Sequence, residues 1–486
     1  MATELVAYPY PIGYDVINYY IPMLSNFENE WNTILREYPF YTSILYVVQN
    51  ITGLSAQNTV SIFAIFIFGL FGVSVFSLGK AVIRNSNRLA LLISLFVILQ
   101  IPVLRTAWDL HRDMFSLTMM FFAFSILIQL RGVQPNKFSS PALICFLLFT
   151  VLSVISDRMV GAWLVIVYCI CALLYRERII TISFIVGLVS FIALLTVTGD
   201  GYSIISSVMH SISDAGMNAQ ISGEKGPQSD SYNQISLFFY FIALNVLLIP
   251  LGIIGYVRLH DPVLRVSLIV ALFGSMTWLV FPHARELVAD RWILLFGISL
   301  SVIAGFGLVR IIQLMFEWLN NVYLSILVPA IIFLIFAQLG ITYAVLPYEA
   351  QISMIGFFND NIQEFVPKSM QFSSVKVDQS PMILDVIHWI NENTDDRSEI
   401  IGSKDWRGWF ITELTANRTF IEYERLGNIS NTTIDAQQYQ RYLITTKVSY
   451  DNPIRNRENS ILDGIEAYSN SLFTVYRIWE NTKNMN

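Results

Sequence analysis

The stretch NTVSIFAIFIFGLFGVSVFSLG at residues 58–79 contains no Asp, Glu, Lys or Arg. About 20 consecutive apolar residues are enough for a helix to cross the hydrocarbon core of a bilayer. Backbone polar groups find no water in that core, and a helix satisfies them within the segment itself. The stretch therefore predicts a transmembrane helix, and similar stretches recur along the chain.

The composition of the whole chain also indicates a membrane protein. Of its 486 residues, 54% are hydrophobic and 14% are charged, and the mean hydropathy is +0.55. Soluble domains carry roughly 25% charged residues. The net charge of −6 argues against nucleic acid as a partner. The three cysteines all lie in apolar runs, so the sequence indicates no disulfide framework.

Apolar runs of this kind predict about ten spans, and hence a polytopic α-helical membrane protein. The runs cover residues 58–79, 88–104, 114–130, 140–156, 159–175, 179–197, 235–256, 264–281, 292–311 and 323–346. After Pro347 the sequence becomes polar and contains no run long enough to cross. We therefore predict a first external segment with amphipathic helices at 1–57, a transmembrane domain at 58–347 and a C-terminal domain at 348–486.

The polar C-terminal region alternates helical and strand patterns. PMILDVIHWINEN, at residues 381–393, is an amphipathic helix with proline at its start. Short β-branched and aromatic runs predict strands at 399–402, 419–423, 442–445 and 472–478. The pattern predicts a small α/β domain.

The distribution of Lys and Arg predicts the orientation, because basic residues concentrate in cytoplasmic loops. The loops after the odd-numbered spans carry Lys80, Arg84, Arg88, Arg131, Lys137, Arg176, Arg178, Arg258, Arg265 and Arg310. The short loops on the other side carry only Arg105, Arg112, Arg158, Arg285 and Arg291. That second side includes the C-terminal domain, which is therefore predicted to be extracytoplasmic at the cell membrane. The glycosylation triplets at Asn50, Asn417, Asn428 and Asn431 fall on the same side.

Ionisable residues gather at span ends on the extracytoplasmic side. One loop reads RTAWDLHRD from Arg105 to Asp113, and another reads HARELVADR from His283 to Arg291. A single arginine at a span end usually reaches towards the lipid headgroups. These arginines run against the positive-inside bias, and each lies within a few residues of a carboxylate. The set predicts a binding or active site on this side.

Transfer of a sugar from a lipid-linked donor would use such a site. A polyprenyl-phosphate leaving group needs fixed cations against its developing charge, and arginine supplies two parallel hydrogen bonds. An acceptor hydroxyl needs a nearby carboxylate as general base. The lipid tail keeps the reacting bond at the membrane interface. The sequence contains neither a GxGxxG nor a P-loop pattern, which suits an enzyme that uses no soluble nucleotide sugar.

The order of several motifs resembles the GT-C glycosyltransferases, membrane enzymes that use polyprenyl- or dolichyl-phosphate sugars. The motifs are Gly13-Tyr-Asp15, Glu37-Tyr-Pro39, Trp108-Asp109-Leu-His-Arg112-Asp113, Asp290-Arg291, the helix at 383–394 and FTVYRI at 473–478. The resemblance covers nearly the whole chain. It implies transfer of a sugar to an extracytoplasmic glycan, lipid or protein, with membrane lipids around the enzyme.

The resemblance also assigns roles to residues. Asp15 matches the catalytic acidic residue of the family's first external loop, and Asp109 and Asp113 match the second acidic site. The same three aspartates are the candidate ligands for Mg²⁺ or Mn²⁺, although metal dependence stays open. The candidate residues for binding the substrate are His111, Arg112, Asp157, Arg158, His283, Arg285, Glu286, Asp290 and Arg291.

The sequence departs from the family pattern at its beginning. GT-C enzymes have a transmembrane helix directly before the first external loop, whereas only residues 1–14 precede Asp15 here, and they are not apolar enough to span. Either the N-terminus is translocated unaided, or the native chain has an additional N-terminal helix, and we favour the second hypothesis. An in-frame apolar stretch upstream of the codon for Met1 would support this hypothesis, and a stop codon immediately upstream would refute it.

Three other functions compete with single-sugar transfer. An ion-coupled transporter would carry charges inside its spans and repeated halves, and the sequence has neither. An oligosaccharyltransferase would transfer a whole glycan to protein. Its Trp-Trp-Asp motif is not matched by Asp405-Trp406-Arg407-Gly-Trp409, whose tryptophans are predicted to pack in the domain core. A non-catalytic membrane-anchored binding protein would leave the clusters of acids and arginines unexplained.

Overall fold

The computed structural model describes twelve ranges of the chain, and every structural statement below concerns these residues. They are 15–25, 40–84, 86–131, 140–198, 234–280, 289–318, 322–345, 380–403, 406–415, 418–422, 440–447 and 462–480. Clustering of contacts divides the chain into two compact units, one mostly helical and one that contains the β-sheet. The domain boundaries at 57 and 347 stay predictions.

Helices form nearly all of the chain before residue 346 that the structure describes. In chain order they are α1 (Val16–Tyr20, a π-helical turn), α2 (Ile21–Ser25), α3 (Tyr41–Thr52), α4 (Ala56–Ile83), α5 (Asn87–Ile98), α6 (Ile101–Asp109), α7 (His111–Arg131), α8 (Ser140–Ser156), α9 (Arg158–Tyr175), α10 (Arg178–Thr198), α11 (Gln234–Asn245), α12 (Ile249–Arg258), α13 (Pro262–Ser275), α14 (Thr277–Val280), α15 (Ala289–Trp318) and α16 (Val322–Val345).

The predicted fold class, a polytopic α-helical membrane protein, is confirmed. Six helices are long and apolar enough to cross a membrane, or eight when each of two bent pairs counts as one span. The shorter apolar helices α8 and α16 account for the other two predicted runs. α15 and α7 are the most enclosed of the long helices, with 94% and 83% of their apolar windows buried. These two helices form the centre of the helical unit.

Two runs that were read as single straight spans are bent instead. The run at 88–104 is the pair α5 and α6, which meet at 67°, and the run at 235–256 is the pair α11 and α12, which meet at 66°. Pro102 and Pro250 lie in the first turns of α6 and α12. Proline has no N–H to donate and its ring clashes with the preceding turn, so a helix rarely runs through it without a break.

The C-terminal region forms the predicted α/β domain. Its elements are α17 (Ser380–Asn393), β1 (Glu399–Gly402), α18 (Arg407–Glu413), β2 (Thr419–Glu422), β3 (Arg441–Thr446), β4 (Leu462–Ser469) and β5 (Phe473–Glu480). The strands form one mixed sheet in the order β2-β1-β3-β5-β4. β1 pairs in parallel with β2 and β3, whereas β5 pairs antiparallel with β3 and β4.

Sequence patterns identified four of these five strands and missed β4. Its sequence, LDGIEAYS, lacks the regular alternation that marks a half-buried strand. β4 is the last strand in the sheet order and forms by hydrogen bonding to β5. The pairing with β5, the next strand along the chain, sets the conformation of β4, and this pairing is not visible in the side-chain pattern of residues 462–469.

The helical turn that follows Asp15 packs with this domain. Ile17 is buried in the same hydrophobic cluster as Ile387 and Phe410. The Asn18 side-chain oxygen accepts a hydrogen bond of 3.0 Å from the backbone N–H of Gly408. Trp406 and Trp409 belong to the same cluster and are 8% and 4% exposed, which agrees with their predicted role in packing.

Candidate active site

The charged residues of the extracytoplasmic prediction lie at the first turns of three helices. Arg112 and Asp113 are in the first turn of α7, Asp157 is the N-cap of α9, and Asp290 and Arg291 are in the first turn of α15. The first N–H groups of a helix have no partner within it and carry a partial positive charge, so carboxylates are stabilised there. Helix starts therefore explain the position of the acids.

The segment from Arg105 to Asp113 is not the loop that was predicted. α6 extends through Asp109 and α7 begins at His111, so Leu110 is the single residue between them. The charged residues are therefore held on helices. His111 is only 1% exposed, which places its ring inside the protein.

The Asp157 carboxylate caps α9 and also binds Arg112. Asp157 is the single residue between α8 and α9, and one oxygen accepts backbone hydrogen bonds of 2.8 and 2.9 Å from Met159 and Val160. The other oxygen accepts a bond of 2.9 Å from Nε of Arg112. Gly161 permits this tight connection, because a Cβ at that position would lie 2.8 Å from the carbonyl oxygen of Val154.

Asp157 is buried, with a side chain 1% exposed, and is nevertheless kept ionised. Burial by itself raises its pKa. Arg112, a hydrogen bond with Asp113, the Val160 N–H and Arg291 together outweigh that effect, and the pKa of Asp157 is lower than that of an ordinary aspartate. Its negative charge therefore persists throughout the physiological pH range.

Asp113 connects α7 with α15. One of its oxygens lies 3.9 Å from Nε of Arg112 and 3.9 Å from Nη1 of Arg291. Its side chain is 3% exposed. Asp113 and Asp157 influence each other's protonation, so the two carboxyl groups titrate as a pair. With one proton, the four side chains of Arg112, Arg291, Asp113 and Asp157 carry a net positive charge.

Exposure differs between the acids and the bases of this cluster. The two aspartates are nearly inaccessible, whereas the side chains of Arg112 and Arg291 are 11% and 24% exposed. A guanidinium group has five N–H donors in a planar fork that matches phosphate and carboxylate oxygens. The cluster thus presents partly exposed cations whose positions are fixed by buried carboxylates, an arrangement suited to binding an anion.

Sequence reasoning left Arg105 out of the candidate residues for binding. Arg105 is 8% exposed on α6 and interacts electrostatically with Asp290. An arginine in the sequence IPVLRTAW is a signal in itself, because a charged side chain among apolar neighbours is retained only where a partner compensates it.

The structure describes only some of the remaining candidate residues. Arg158 is the first residue of α9, directly after Asp157. Asp15 lies immediately before α1, in the unit that contains the sheet. Asp109 is the last residue of α6, but its side chain is outside the described part of the structure. His283, Arg285 and Glu286 also lie outside the described residues, as do the sequence triplets at Asn417, Asn428 and Asn431.

Metal binding was left open by the sequence. Among the described residues, no three His, Cys, Asp or Glu side chains are grouped so that they could hold a metal ion. The side chain of Asp109, one of the three candidate ligands, lies outside the described part of the structure.

No family model and no curated protein matches the chain. Among solved structures, ArnT from Cupriavidus metallidurans bound to undecaprenyl phosphate aligns over 98% of this chain and 96% of its own, with 12% identity and a TM-score of 0.49. The Archaeoglobus fulgidus oligosaccharyltransferase aligns over 86% of this chain and 59% of its own, with 12% identity and a TM-score of 0.46. The arabinofuranosyltransferase AftD from Mycobacteria aligns over 97% of this chain and 38% of its own, with 12% identity and a TM-score of 0.44.

These similarities extend over 86 to 98% of this chain. The chain spans almost all of ArnT but only part of the other two proteins. A sequence identity of 12% is informative about the fold alone and not about the activity. Substrate and mechanism have to be inferred from the residues of this chain.

Proposed function

We propose that this protein is a membrane glycosyltransferase that moves a sugar from a polyprenyl-phosphate carrier to an extracytoplasmic glycan, lipid or protein. The observation that supports the proposal is the cluster of Arg112, Asp113, Asp157 and Arg291 at the starts of three helices. An aspartate pair that fixes two partly exposed arginines serves no need of a simple membrane anchor.

The arginines are suited to the departing phosphate. When the bond between sugar and phosphate breaks, negative charge grows on the phosphate oxygens, and fixed cations stabilise that charge without reorganising. Contacts with Asp157 and Asp113 hold Arg112 and Arg291 in place before the substrate arrives. Arg158 and Arg285 are further candidates for the same phosphate.

The position of the cluster suits a lipid-linked donor. Asp113 and Arg291 lie in the first turns of spans α7 and α15, at the level where a span leaves the hydrocarbon core. The tail of a polyprenyl phosphate remains in the bilayer, so its phosphate reaches only this level. A soluble nucleotide sugar has no such restriction.

Asp15 is the proposed general base, which takes the proton of the acceptor hydroxyl as it attacks the sugar. Asp109 and Asp113 belong to the second acidic site. In this assignment Asp15 acts on the acceptor, whereas the cluster of arginines acts on the donor. The two roles can be separated by experiment, because one concerns transfer and the other concerns binding.

Substitution of Asp15 and of Arg291 tests the proposal. Asp15→Asn keeps the side-chain volume but removes basicity, and we expect the rate of sugar transfer to fall at least about a hundredfold. Its binding of undecaprenyl phosphate, the lipid present in the ArnT structure, should not change. Arg291→Gln should weaken that binding. Both measurements use the full-length protein in lipid nanodiscs supplied with polyprenyl-phosphate sugars.

Asp395→Asn is the matched control, because Asp395 is an exposed carboxylate of the C-terminal domain. It should transfer sugar at the wild-type rate. Wild-type transfer by Asp15→Asn would refute the assignment of the base. Wild-type binding of undecaprenyl phosphate by Arg291→Gln would refute the assignment of the phosphate site. If the wild-type protein binds undecaprenyl phosphate but transfers no sugar, a binding protein is favoured over an enzyme.

A further inference from the structure

A second charged site lies at the opposite ends of the same helices. A cavity of about 570 Å³ is bordered by the end of α4, the end of α7, the end of α12 and the C-terminal half of α15. Arg131 is nineteen positions after Arg112 on α7, so the two ends are roughly 30 Å apart at 1.5 Å per residue. That distance is close to the thickness of the hydrocarbon core. The cavity is therefore separate from the candidate active site.

Basic residues dominate the charged lining of the cavity. Four arginines line it, accompanied by His260 and by Asp261, the one acid among the lining residues that the structure describes; the arginines are Arg84, Arg131, Arg258 and Arg310. They come from four different segments of the chain. Scattered basic residues in cytoplasmic loops are expected from the positive-inside bias, but that bias does not require them to converge on one concave space.

Two of the four arginines are occupied by acids. Arg131 donates to Glu177 at 2.6 and 2.7 Å and to Asp261 at 3.1 Å. Arg310 donates to Glu317 at 3.1 Å. Asp261 is also engaged as the N-cap of α13, where it accepts from two backbone N–H groups. These three acids are the ones that the sequence offers in the loops on this side.

Arg84 and Arg258 have no acidic partner among the residues that the structure describes. Neither forms an ion pair with another residue that the structure describes, and both are exposed at the cavity. Arg84 also has a left-handed backbone, with φ at +55°, which costs about 1 kcal/mol for a residue other than glycine or asparagine. Two guanidinium groups that border one cavity and form no ion pair with a described acid are suited to binding an anionic ligand.

The rest of the lining is apolar. Ala81, Ile128, Phe306 and Val309 lie deeper along the helices, between the arginines and the membrane-spanning segments. A volume of about 570 Å³ is within the range of sites for small molecules and is much larger than one phosphate ion requires. The cavity therefore has space for a phosphate together with apolar or polyol groups attached to it.

We propose that this cavity binds a phosphorylated ligand, whose phosphate is held by Arg84 and Arg258. Each guanidinium group can offer two parallel N–H donors to phosphate oxygens. The phosphate can belong to the headgroup of an anionic phospholipid in the adjacent leaflet or to a soluble phosphate. The site is independent of the sugar transfer proposed above.

Binding measurements with two probes test the proposal. The first probe is dioctanoyl phosphatidylglycerol, a short-chain lipid, and the second is inorganic phosphate. Both are titrated against the full-length protein in a zwitterionic detergent. Arg84→Asn removes the charge while keeping a residue that tolerates the left-handed backbone, and Arg258→Gln removes the second charge. We expect each single variant to weaken about tenfold the binding of the probe that the wild type binds more tightly, and we expect the double variant to lose that binding.

Arg176→Asn is the matched control. Arg176 has the same left-handed backbone, with φ at +53°, follows a helix on the same predicted side and does not line the cavity. Its binding should equal that of the wild type. Binding of the lipid alone would assign the site to a headgroup, and binding of both probes would assign it to the phosphate. Binding of neither probe, or equal losses in Arg84→Asn and Arg176→Asn, would overturn the proposal.

Discussion

At the scale of single residues, Asp157 is the most informative side chain. Taking two opposite charges out of water costs several kcal/mol per ion, and only good geometry and additional hydrogen bonds repay that cost. Asp157 has both, because its backbone contacts cap α9 and its second oxygen binds Nε of Arg112 at 2.9 Å. Removing its charge would take away the 2.9 Å ion pair with Arg112.

Asp157→Asn separates the cap from the ion pair. Asparagine caps a helix as well as aspartate does, so the capping bonds to Met159 and Val160 should remain. We expect a loss of about 3 kcal/mol in the free energy of unfolding, because the largely buried Arg112 loses its ion pair with Asp157. Asp157→Ala should lose about 1 kcal/mol more through the missing cap. Thermal unfolding in detergent measures both. Equal losses would contradict this division.

The stabilisation by Asp157 should also depend on pH in a defined direction. Its pKa is lowered in the folded protein, mainly through Arg112 acting against burial. A lowered pKa stabilises the folded state at every pH above the unfolded value of about 3.9, and the effect disappears only as the pH falls through the folded value. The difference in stability between wild type and Asp157→Asn should thus be constant near neutrality and shrink in strong acid.

At the scale of elements, the contact between α12 and α15 depends on small residues. A Cβ at Gly255 would lie 2.0 Å from the carbonyl oxygen of Ile303, and a Cβ at Gly307 would lie 2.0 Å from that of Leu251. Helices in membranes associate through such close backbone approach, because lipid gives no hydrophobic drive for their contact. This contact also forms part of the cavity at the ends of both helices.

Gly255→Ala should push α12 away from α15. The added methyl group meets backbone atoms, which cannot rotate away, so we expect a loss of about 1 to 3 kcal/mol in unfolding free energy. Gly69→Ala is the control, since Gly69 is also in a span and a Cβ there meets nothing within 4 Å. It should be neutral or slightly stabilising. Thermal unfolding of the two variants in the same detergent measures these changes. A Gly255→Ala protein as stable as the wild type would contradict the packing.

At the scale of the whole molecule, the orientation in the membrane is a prediction of the sequence. The excess of Lys and Arg places the loop at Arg176 in the cytoplasm and the C-terminal domain outside. Both candidate sites depend on this orientation for their biological meaning, since the proposed lipid-linked donor has to reach the candidate active site from the correct leaflet.

Single cysteines test the orientation. Cys145, Cys169 and Cys171 are first replaced by alanine, and Ser471→Cys or Arg176→Cys is then introduced at an exposed position. In intact cells or spheroplasts, an impermeant maleimide should label position 471 and not position 176. Both should react after the membrane is dissolved. Labelling of position 176 but not of position 471 in intact cells would show that the predicted orientation is wrong.

The fold class and the positions of most elements follow from local sequence patterns. Runs such as 58–79 are apolar throughout, and four of the five strands carry their own local pattern. These features are set by neighbours along the chain, because a bilayer accepts only segments that satisfy their own backbone. The charged residues of the candidate site could also be identified, since charge at span ends on the less basic side is unusual.

The contacts between the charged residues depend on the packing of the helices. Asp113, Asp157 and Arg291 are far apart in sequence, and the packing of α7, α9 and α15 brings them together. The convergence of Arg84 with Arg258 on one cavity also depends on residues that are distant in sequence. A local pattern records which residues are charged or apolar, whereas contacts between helices depend on how their surfaces pack, and that information is spread over the whole chain.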